Sequence, residues 1–374
     1  MRAREAGIVV GAGAPGPHNA ITDIAGVRVG HATLIEGDGP LRVGEGPVRT
    51  GVTVIVPADG IWDRPLFCGC HTLNGNGELT GLEWVRESGM LTSPIALTNT
   101  HSVGVVRDAL IAHEVAQRAA SAGHFWGLPV VGETWDGMLN DTNGLHVRPE
   151  HVQQALAAAR TGPVPEGGVG GGTGMICHGF KGGIGTASRV VDPADGGFTV
   201  GVLVQANHGR RERLSICGVP VGRMLGPDQV PLPEDPAERA GMGVPPQGSG
   251  SIIAIVATDA PLLPQQCRRL AQRAGLGIAR TGGVGEHTSG DIFLCFATGN
   301  RGMVPGELGA QGPLTVPLSM LSDAHITALF DAVVEATEEA IVNALSAART
   351  MVGRDGVTAH AMPLERVAAL LHGS

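Results

Sequence analysis

The segment Gln247-Gly248-Ser249-Gly250-Ser251-Ile252-Ile253-Ala254-Ile255-Val256 joins a loop-forming stretch directly to an apolar run. A β-branched apolar run that follows glycine is typical of a strand, so Ser251–Thr258 is predicted to be a strand covered on both faces. Upstream, Leu225–Gly250 contains six prolines and several glycines. This composition predicts an exposed loop, where a chain can be cut without losing its fold.

Backbone cleavage before Ser251 would place a hydroxyl and a free α-amine on one residue at the head of a rigid strand. An α-amine has a reference pKa of about 7.7–8, so near neutral pH it can accept the proton of its own hydroxyl. Gly250 lacks a Cβ, so its carbonyl can bend towards the serine oxygen at low steric cost. Locally, an ordinary Gly/Ser turn into a strand explains the junction equally well, so these residues alone do not decide between the two interpretations.

Apolar runs and helical periodicity alternate along the rest of the chain. Five further Val- and Ile-rich runs predict strands at Val52–Val56, Pro94–Thr98, Pro129–Glu133, Phe198–Ala206 and Asp291–Thr298. Apolar residues at helical spacing predict helices at Ser102–Ala120, Val152–Ala159, from Pro261 (capped by Asp259) to Gly275, and from Ser322 to a stop near Gly353. This alternation predicts an α/β protein with sheets covered on each side.

Composition and charge exclude several functional classes. The formal net charge of −9, the low aromatic content of 3% and the absence of tyrosine argue against binding to nucleic acid. No run approaches the roughly 18 apolar residues that span a bilayer, and Met1–Val10 lacks the apolar core of a secretory signal, so we expect no membrane association. The six cysteines lie mostly in apolar or Gly-rich surroundings, which favours reduced thiols and a cytoplasmic location.

No sequence pattern indicates a cofactor or a catalytic metal. Cys68-Gly-Cys70 lacks the C-x-x-C spacing, and the fourteen histidines form no H-E-x-x-H or comparable ligand pattern. Gly167–Gly174 superficially resembles a phosphate-binding loop, but no Lys-Ser/Thr follows at the required spacing. We therefore interpret the glycine run as a turn or a wall of the active site.

Several motifs in a fixed order resemble the family of L-aminopeptidase/D-esterase-amidases and β-peptidyl aminopeptidases, from about residue 18 to residue 365. They are His18–His31, Asn74–Gly81, Asn99–Gly104, Gly132–Gly137, Val204–Asn207, Gly250–Ser251 and Ser289–Phe293. The resemblance implies a four-layer α/β/β/α sandwich, the fold that this family shares with the ornithine acetyltransferases. It also implies one domain, residues 1–374, that cuts itself into an α chain, 1–250, and a β chain, 251–374, which stay together and assemble into homo-oligomers.

The resemblance also implies roles for individual residues. Ser251 is similar to the family nucleophile, and Gly250 to the residue that loses its bond. Ser289 and Asp291 resemble the pair that completes the nucleophile's hydrogen-bond network, and Asn207 resembles the oxyanion donor. The remaining two assignments, Glu133 and Trp135, are substrate-binding positions. Glu133 resembles the residue that binds the substrate's free ammonium. At the position of Trp135, some relatives have a tyrosine whose hydroxyl contributes to the oxyanion hole. Because indole donates only through Nε1–H, this sequence leaves the second oxyanion donor open.

The expected activity is removal of amino-end residues from small peptides, amides or esters through an acyl-enzyme on Ser251, without a cofactor. One alternative is acyl transfer, because the ornithine acetyltransferases use the same kind of fold and self-cleavage, although with threonine at the cut site. Another is an uncleaved small-molecule-binding protein with a vestigial site. The sequence does not indicate a preference among L-, D- and β-amino acids.

Overall fold

Fourteen strands and seven helices form the fold in the computed structural model, which describes residues 1–118, 125–235, 248–303 and 312–373. The strands are β1 Arg28–Glu36, β2 Val48–Val56, β3 Leu66–Gly75, β4 Met90–Leu91, β5 Ile95–Asn99, β6 Val130–Thr134, β7 Ile176–Cys177, β8 Phe180–Lys181, β9 Gly183–Val190, β10 Thr199–Ala206, β11 Ile252–Thr258, β12 Gly290–Ala297, β13 Met351–Val352 and β14 Thr358–Ala359. The helices are α1 Leu82–Ser88, α2 Val103–Gln117, α3 Pro149–Ala157, α4 Val221–Met224, α5 Pro264–Arg280, α6 Ile326–Ala347 and α7 Leu364–His372.

Two sheets stacked face to face form the centre of the molecule. One has the order β1-β2-β5-β6, and the other has the order β4-β3-β12-β11-β10-β9. Helices α2 and α3 cover the outer face of the first sheet, while α5 and α6 cover the outer face of the second. The layers are therefore α/β/β/α, which confirms the predicted fold class.

Strand β11 shows how its sequence fits this position. Ile253 and Ile255 belong to the apolar cluster between the two sheets, whereas Ile252, Ala254 and Val256 belong to the cluster under α5 and α6. Because successive side chains of a strand point to opposite faces, a strand buried on both sides must be apolar throughout. This confirms the prediction of a sheet covered on each side.

All six predicted strands are present, with ends shifted by only a few residues. Strands β1, β3 and β9 lie in stretches that the sequence did not predict as strands. Their sequences contain glycine and polar residues, which weaken the strand pattern. In β9 the reason is tertiary, since a Cβ on Gly185 would lie 1.9 Å from the Ala340 carbonyl oxygen of α6.

Two predicted helix boundaries are wrong. Helix α5 begins at Pro264 instead of Pro261. The Gln266 side chain caps this start by accepting a hydrogen bond from the Leu263 N–H at 3.1 Å. The Asp259 carboxylate, which was the predicted cap, instead accepts a hydrogen bond from the Thr199 N–H. The helix continues past Gly275 to Arg280, since Ala274 and Ile278 remain packed in the core and burial outweighs the low helix propensity of glycine.

Helix α6 ends at Ala347 rather than near Gly353, because Ala348 is extended and β13 follows. Its predicted start is confirmed, since the Ser322 side chain caps the short 3₁₀ turn that precedes it. The two other predicted helices correspond to α2 and α3, except that Ala120 of the first lies outside the described residues.

The glycine run Gly167–Gly174 is a turn. Gly170–Gly172 forms a 3₁₀ turn against β2, β5 and β9, and the N–H groups of Gly170 and Gly171 donate to the hydroxyls of Thr33 and Thr53. Residues 236–247 of the predicted loop lie outside the described part of the chain. Within the described part, no helix is both long and apolar enough to cross a membrane.

Candidate active site

Ser251 lies at the point where three strands of the six-stranded sheet meet. Ile252 is paired with Ala206 of the antiparallel strand β10 and with Asp291 of the parallel strand β12. Asn207, which follows β10, and Gly290, which starts β12, therefore flank Ser251 on opposite sides. Sheet register thus brings together three motifs that are far apart in the sequence.

The Ser251 side chain is buried, with 3% of the residue exposed. Its Oγ accepts a hydrogen bond from the Gly290 N–H at 2.9 Å. The backbone of Ser251 has φ 85°, a left-handed conformation that residues other than glycine rarely adopt. The backbone of Ser251 is therefore held in a strained conformation, which costs of order 1–3 kcal/mol.

Two donors bind the Gly250 carbonyl oxygen. The side-chain Nδ2 of Asn207 donates to it at 2.7 Å, and the backbone N–H of Trp135 donates at 3.2 Å. The Asn207 amide is itself fixed, because its Oδ1 accepts from the Ile176 N–H at 2.6 Å and its Nδ2 also donates to the Trp135 carbonyl at 2.7 Å. Both donors are thus aimed at the carbonyl before any reaction takes place.

Only glycine fits at position 250. A Cβ there would lie 2.2 Å from both Nδ2 and the carbonyl oxygen of Asn207. Any side chain would push the carbonyl away from its donors.

Ser289 and Asp291 form a buried pair beside Ser251. The Ser289 hydroxyl donates to Asp291 Oδ1 at 2.7 Å, and both residues are at most 2% exposed. Burial raises the pKa of Asp291 to about 6, although hydrogen bonds from Ser289 and from the Ile252 N–H act in the opposite direction. The contact with Ser251 itself comes from the intervening Gly290 N–H.

Glu133 faces a pocket of about 560 Å³ that also contains Ser251. Its carboxylate is 2% exposed and accepts from the Glu78 N–H at 2.9 Å and from the Thr100 hydroxyl. Burial raises the pKa of Glu133, and the described residues that line the pocket include no lysine or arginine. A substrate ammonium would supply a positive charge there.

The structure brings the site residues predicted from the sequence into one region, and Trp135 lines the pocket together with Glu133 and Ser251. Trp135 contacts the Gly250 carbonyl through its backbone N–H, while its indole lies against Gly137. Sequence reasoning also missed the Gly290 N–H and the Thr100 hydroxyl. The motifs Ser289–Phe293 and Asn99–Gly104 contain these two residues, yet neither has a side-chain pattern that indicates its contact.

One group of side chains in the described residues has the composition of a metal site. Cys177, His178 and His208 lie behind Asn207 and do not line the pocket. The sequence predicted no ligand pattern because His208 lies far along the chain from the adjacent residues Cys177 and His178. Folding brings them together.

Comparisons with known proteins agree with this geometry. The family model for peptidase family S58 matches residues 19–359. The chain is 47% identical to a beta-peptidyl aminopeptidase, BapA, of Sphingosinicella microcystinivorans over 99% of this chain and 91% of that protein. Among solved structures, a beta-aminopeptidase from Burkholderia sp. has a TM-score of 0.89 at 54% identity, over 100% of this chain and 99% of that one. The L-aminopeptidase D-Ala-esterase/amidase from Ochrobactrum anthropi, described as a prototype serine aminopeptidase and a variant of the Ntn hydrolase fold, has a TM-score of 0.87 at 40% identity, over 100% and 98%.

Proposed function

Because the chain belongs to peptidase family S58 and is an aminopeptidase and amidase of the serine N-terminal nucleophile type, we propose that it cuts its own Gly250–Ser251 bond and then carries each substrate's acyl group on Ser251. The observation that carries this proposal is the pair of donors on the Gly250 carbonyl oxygen, from Asn207 and from the Trp135 backbone. Such donors stabilise the negative charge that develops on that oxygen during attack.

Self-cleavage follows from the position of the Ser251 hydroxyl. Oγ attacks the Gly250 carbonyl carbon, and the electron pair of the C=O bond moves to the oxygen held by Asn207 and Trp135. Collapse of this intermediate breaks the C–N bond, the hydroxyl proton ends on the Ser251 nitrogen, and an ester remains. Water then hydrolyses the ester to a Gly250 carboxylate and a free Ser251.

Backbone strain supports the same step. The φ of Ser251 is a rotation about its N–Cα bond, and the peptide on its N-terminal side fixes that rotation at 85°. Once the peptide bond is cut, the nitrogen is no longer tied to Gly250 and the strain can relax. Cleavage is therefore favoured over the reverse reaction.

The same groups serve substrate turnover. After cleavage the α-amine of Ser251 acts as the base for its hydroxyl, and the substrate carbonyl takes the place of the Gly250 carbonyl between the same two donors. Ser289 and Asp291 act as positioning residues, because their pair holds the start of β12 from which Gly290 contacts Oγ. Asn207 and Ser251 act directly on the reacting atoms.

Glu133 selects substrates with a free amino end. Its carboxylate accepts two hydrogen bonds, and no cation lies among the described residues that line the pocket, so a substrate ammonium completes its charge balance. A blocked amino end would leave the buried carboxylate unpaired, which rejects such substrates. We propose small peptides, amides and esters with a free amino end as the substrates.

The remaining features of the working enzyme are carried over from the family resemblance. We propose that the α and β chains stay together as one domain and that several such pairs assemble into a homo-oligomer. A cytoplasmic location is supported by the cysteines, because all six are free thiols.

The direct test is denaturing electrophoresis of the purified protein. Wild type should give two chains, residues 1–250 and 251–374, that co-purify under native conditions, and sequencing of the smaller chain should start at Ser251-Ile252. Ser251→Ala should remain one chain, because no hydroxyl is left to attack Gly250. As a matched control, Ser249→Ala should still be cut, since its hydroxyl precedes the scissile carbonyl. An intact wild type with full activity would refute the proposal.

A further inference from the structure

A compact group of metal-ligating side chains lies outside the substrate pocket. The ligand atoms of Cys177, His178 and His208 are all within 4.8 Å of one another, and Cys177 Sγ lies 3.8 Å from His208 Nδ1. Cys177 and His178 are fully buried, and His208 is 3% exposed. Neither the hydrolytic mechanism nor the pocket uses these three side chains.

Local backbone structure fixes the group. Strands β7 and β8 form a hairpin whose two turn residues, His178 and Gly179, have φ 50° and φ 70°. A two-residue turn with both φ values positive is of type I′, in which asparagine is the usual first residue. The His178 N–H donates to the His208 carbonyl at 2.7 Å, which joins the turn to the end of β10.

The two imidazoles have unused ligand atoms. Nε2 of His178 and Nε2 of His208 are buried and have no hydrogen-bond partner among the described residues, while His178 Nδ1 contacts the Arg210 carbonyl. Buried polar atoms without a partner are rare and costly in folded proteins.

Charge decides which cation fits. The group contains a thiol and two imidazoles but no carboxylate, and this set of ligands selects Cu⁺ or Zn²⁺ over Mg²⁺ or Ca²⁺. The Arg211 guanidinium adds positive charge next to His178. A Cu⁺ ion bound to the Cys177 thiolate leaves no net charge, whereas Zn²⁺ leaves one positive charge next to this cation.

We propose that Cys177, His178 and His208 form a buried three-ligand site for a thiophilic cation, Cu⁺ in preference to Zn²⁺. The site lies directly behind the oxyanion donor, because His208 follows Asn207 and Cys177 follows Ile176, whose N–H holds the Asn207 amide. A bound ion therefore ties together the two backbone segments that orient Asn207. Metal binding stabilises the folded protein, since the unfolded chain does not hold the three ligands together.

The test measures metal content and thermal stability of the full chain after growth with added copper or added zinc. All proteins carry Cys217→Ser, because Cys217 is an exposed thiol and an exposed thiol competes for thiophilic metals. After removal of loose metal with a chelator, elemental analysis should find one equivalent of copper per chain and less zinc. The copper-loaded protein should also unfold at a higher temperature than the metal-free protein.

Two variants remove a ligand. His178→Asn should lose the metal and the metal-dependent rise in unfolding temperature while folding well, because Asn-Gly is a preferred type I′ turn. Cys177→Ser should behave in the same way. Cys295→Ala removes another fully buried thiol and should keep the metal.

Retention of metal by His178→Asn and Cys177→Ser, or its absence from the parent after both growth conditions, would overturn the site. Zinc bound in place of copper would overturn the charge-balance argument. If Cys177→Ser does not fold, Co²⁺ loading of the parent decides, since a thiolate-to-cobalt absorption band must appear there and be absent from His178→Asn.

Discussion

Replacing Asn207 by alanine removes the shorter of the two hydrogen bonds to the Gly250 carbonyl oxygen. The bond from Nδ2 measures 2.7 Å and the remaining one, from the Trp135 N–H, measures 3.2 Å. Loss of one side-chain oxyanion donor costs roughly 2.7–4 kcal/mol in the transition state, or about 10²–10³ in rate. We expect Asn207→Ala to slow both self-cleavage and substrate turnover by this factor without abolishing either, because the Trp135 backbone donor remains.

The same substitution also removes the partners of two backbone groups, the Ile176 N–H and the Trp135 carbonyl. Each buried unpaired group costs about 1–3 kcal/mol of stability, so the rate effect must be separated from partial unfolding. Asn343→Ala is the control: it removes the hydrogen bonds to the Ala3 N–H and to the Thr186 carbonyl, although this carbonyl keeps a bond from Arg2 at 2.7 Å. It should lower the free energy of unfolding while leaving self-cleavage fast.

The assay follows conversion of a pulse-labelled precursor in cell-free translation by electrophoresis, with turnover of amino-end-free aminoacyl nitroanilides measured on cut enzyme. Asn207→Asp sharpens the test, because its carboxylate still accepts from the Ile176 N–H but cannot donate to Gly250. It should be at least as slow as Asn207→Ala. Trp135→Phe should cut itself within about tenfold of the wild-type rate, since a backbone N–H survives the substitution. A folded Asn207→Ala precursor that converts at the wild-type rate, or an equal slowing by Asn343→Ala, would refute the oxyanion assignment.

Three further outcomes follow from the site. The Glu133→Gln variant should still cut itself, but its kcat/KM on free-amine nitroanilides should fall by about 10²-fold or more, because a neutral amide cannot pair with the buried substrate ammonium. A kcat/KM equal to that of wild type would contradict this role of Glu133. If residues 1–250 and 251–374 are supplied as separate chains, an N-acetyl group on Ser251 should abolish activity but not assembly, and an active acetylated complex beside an active unacetylated control would rule out the α-amine base. Burial raises the pKa of Asp291 to about 6, so the folded protein binds the carboxyl proton of Asp291 more tightly than the unfolded chain does. The contribution of this group to the free energy of unfolding therefore falls by about 2–3 kcal/mol as pH rises from about 4 to 6. The stability difference between wild type and Asp291→Asn in urea unfolding should therefore change across this pH window, and a constant difference would contradict the raised pKa.

The sequence determined six strands of the fold and indicated the candidate site residues. The run Ile252–Thr258 had to be a strand buried on both faces because every position is apolar or small, and it placed Ser251 at a strand head. The motif order, through the family resemblance, indicated Asn207, Glu133 and the Ser289–Asp291 pair as candidates. The sequence gives the chemical type of every side chain, so these predictions did not require knowledge of the fold.

Strand and helix boundaries depended on packing that the sequence does not display. The sequence did not predict strand β9, because glycine has a low strand propensity. Gly185 is present there because α6 approaches too closely for a larger side chain. The start of α5 was misplaced because Asp259, a good cap by residue type, is engaged by the Thr199 N–H of a neighbouring strand.

Only the tertiary structure decided how the site is completed. The second donor to the Gly250 carbonyl and the donor to Ser251 Oγ are backbone N–H groups, of Trp135 and Gly290. Nearly every residue carries such a group, so no sequence pattern marks the two that matter. Sheet register aims the Gly290 N–H at Ser251, and the packing of one sheet on the other brings Trp135, just beyond β6, to Gly250. The grouping of Cys177 with His208 has the same origin, because it arises where a hairpin turn meets a strand end distant in sequence.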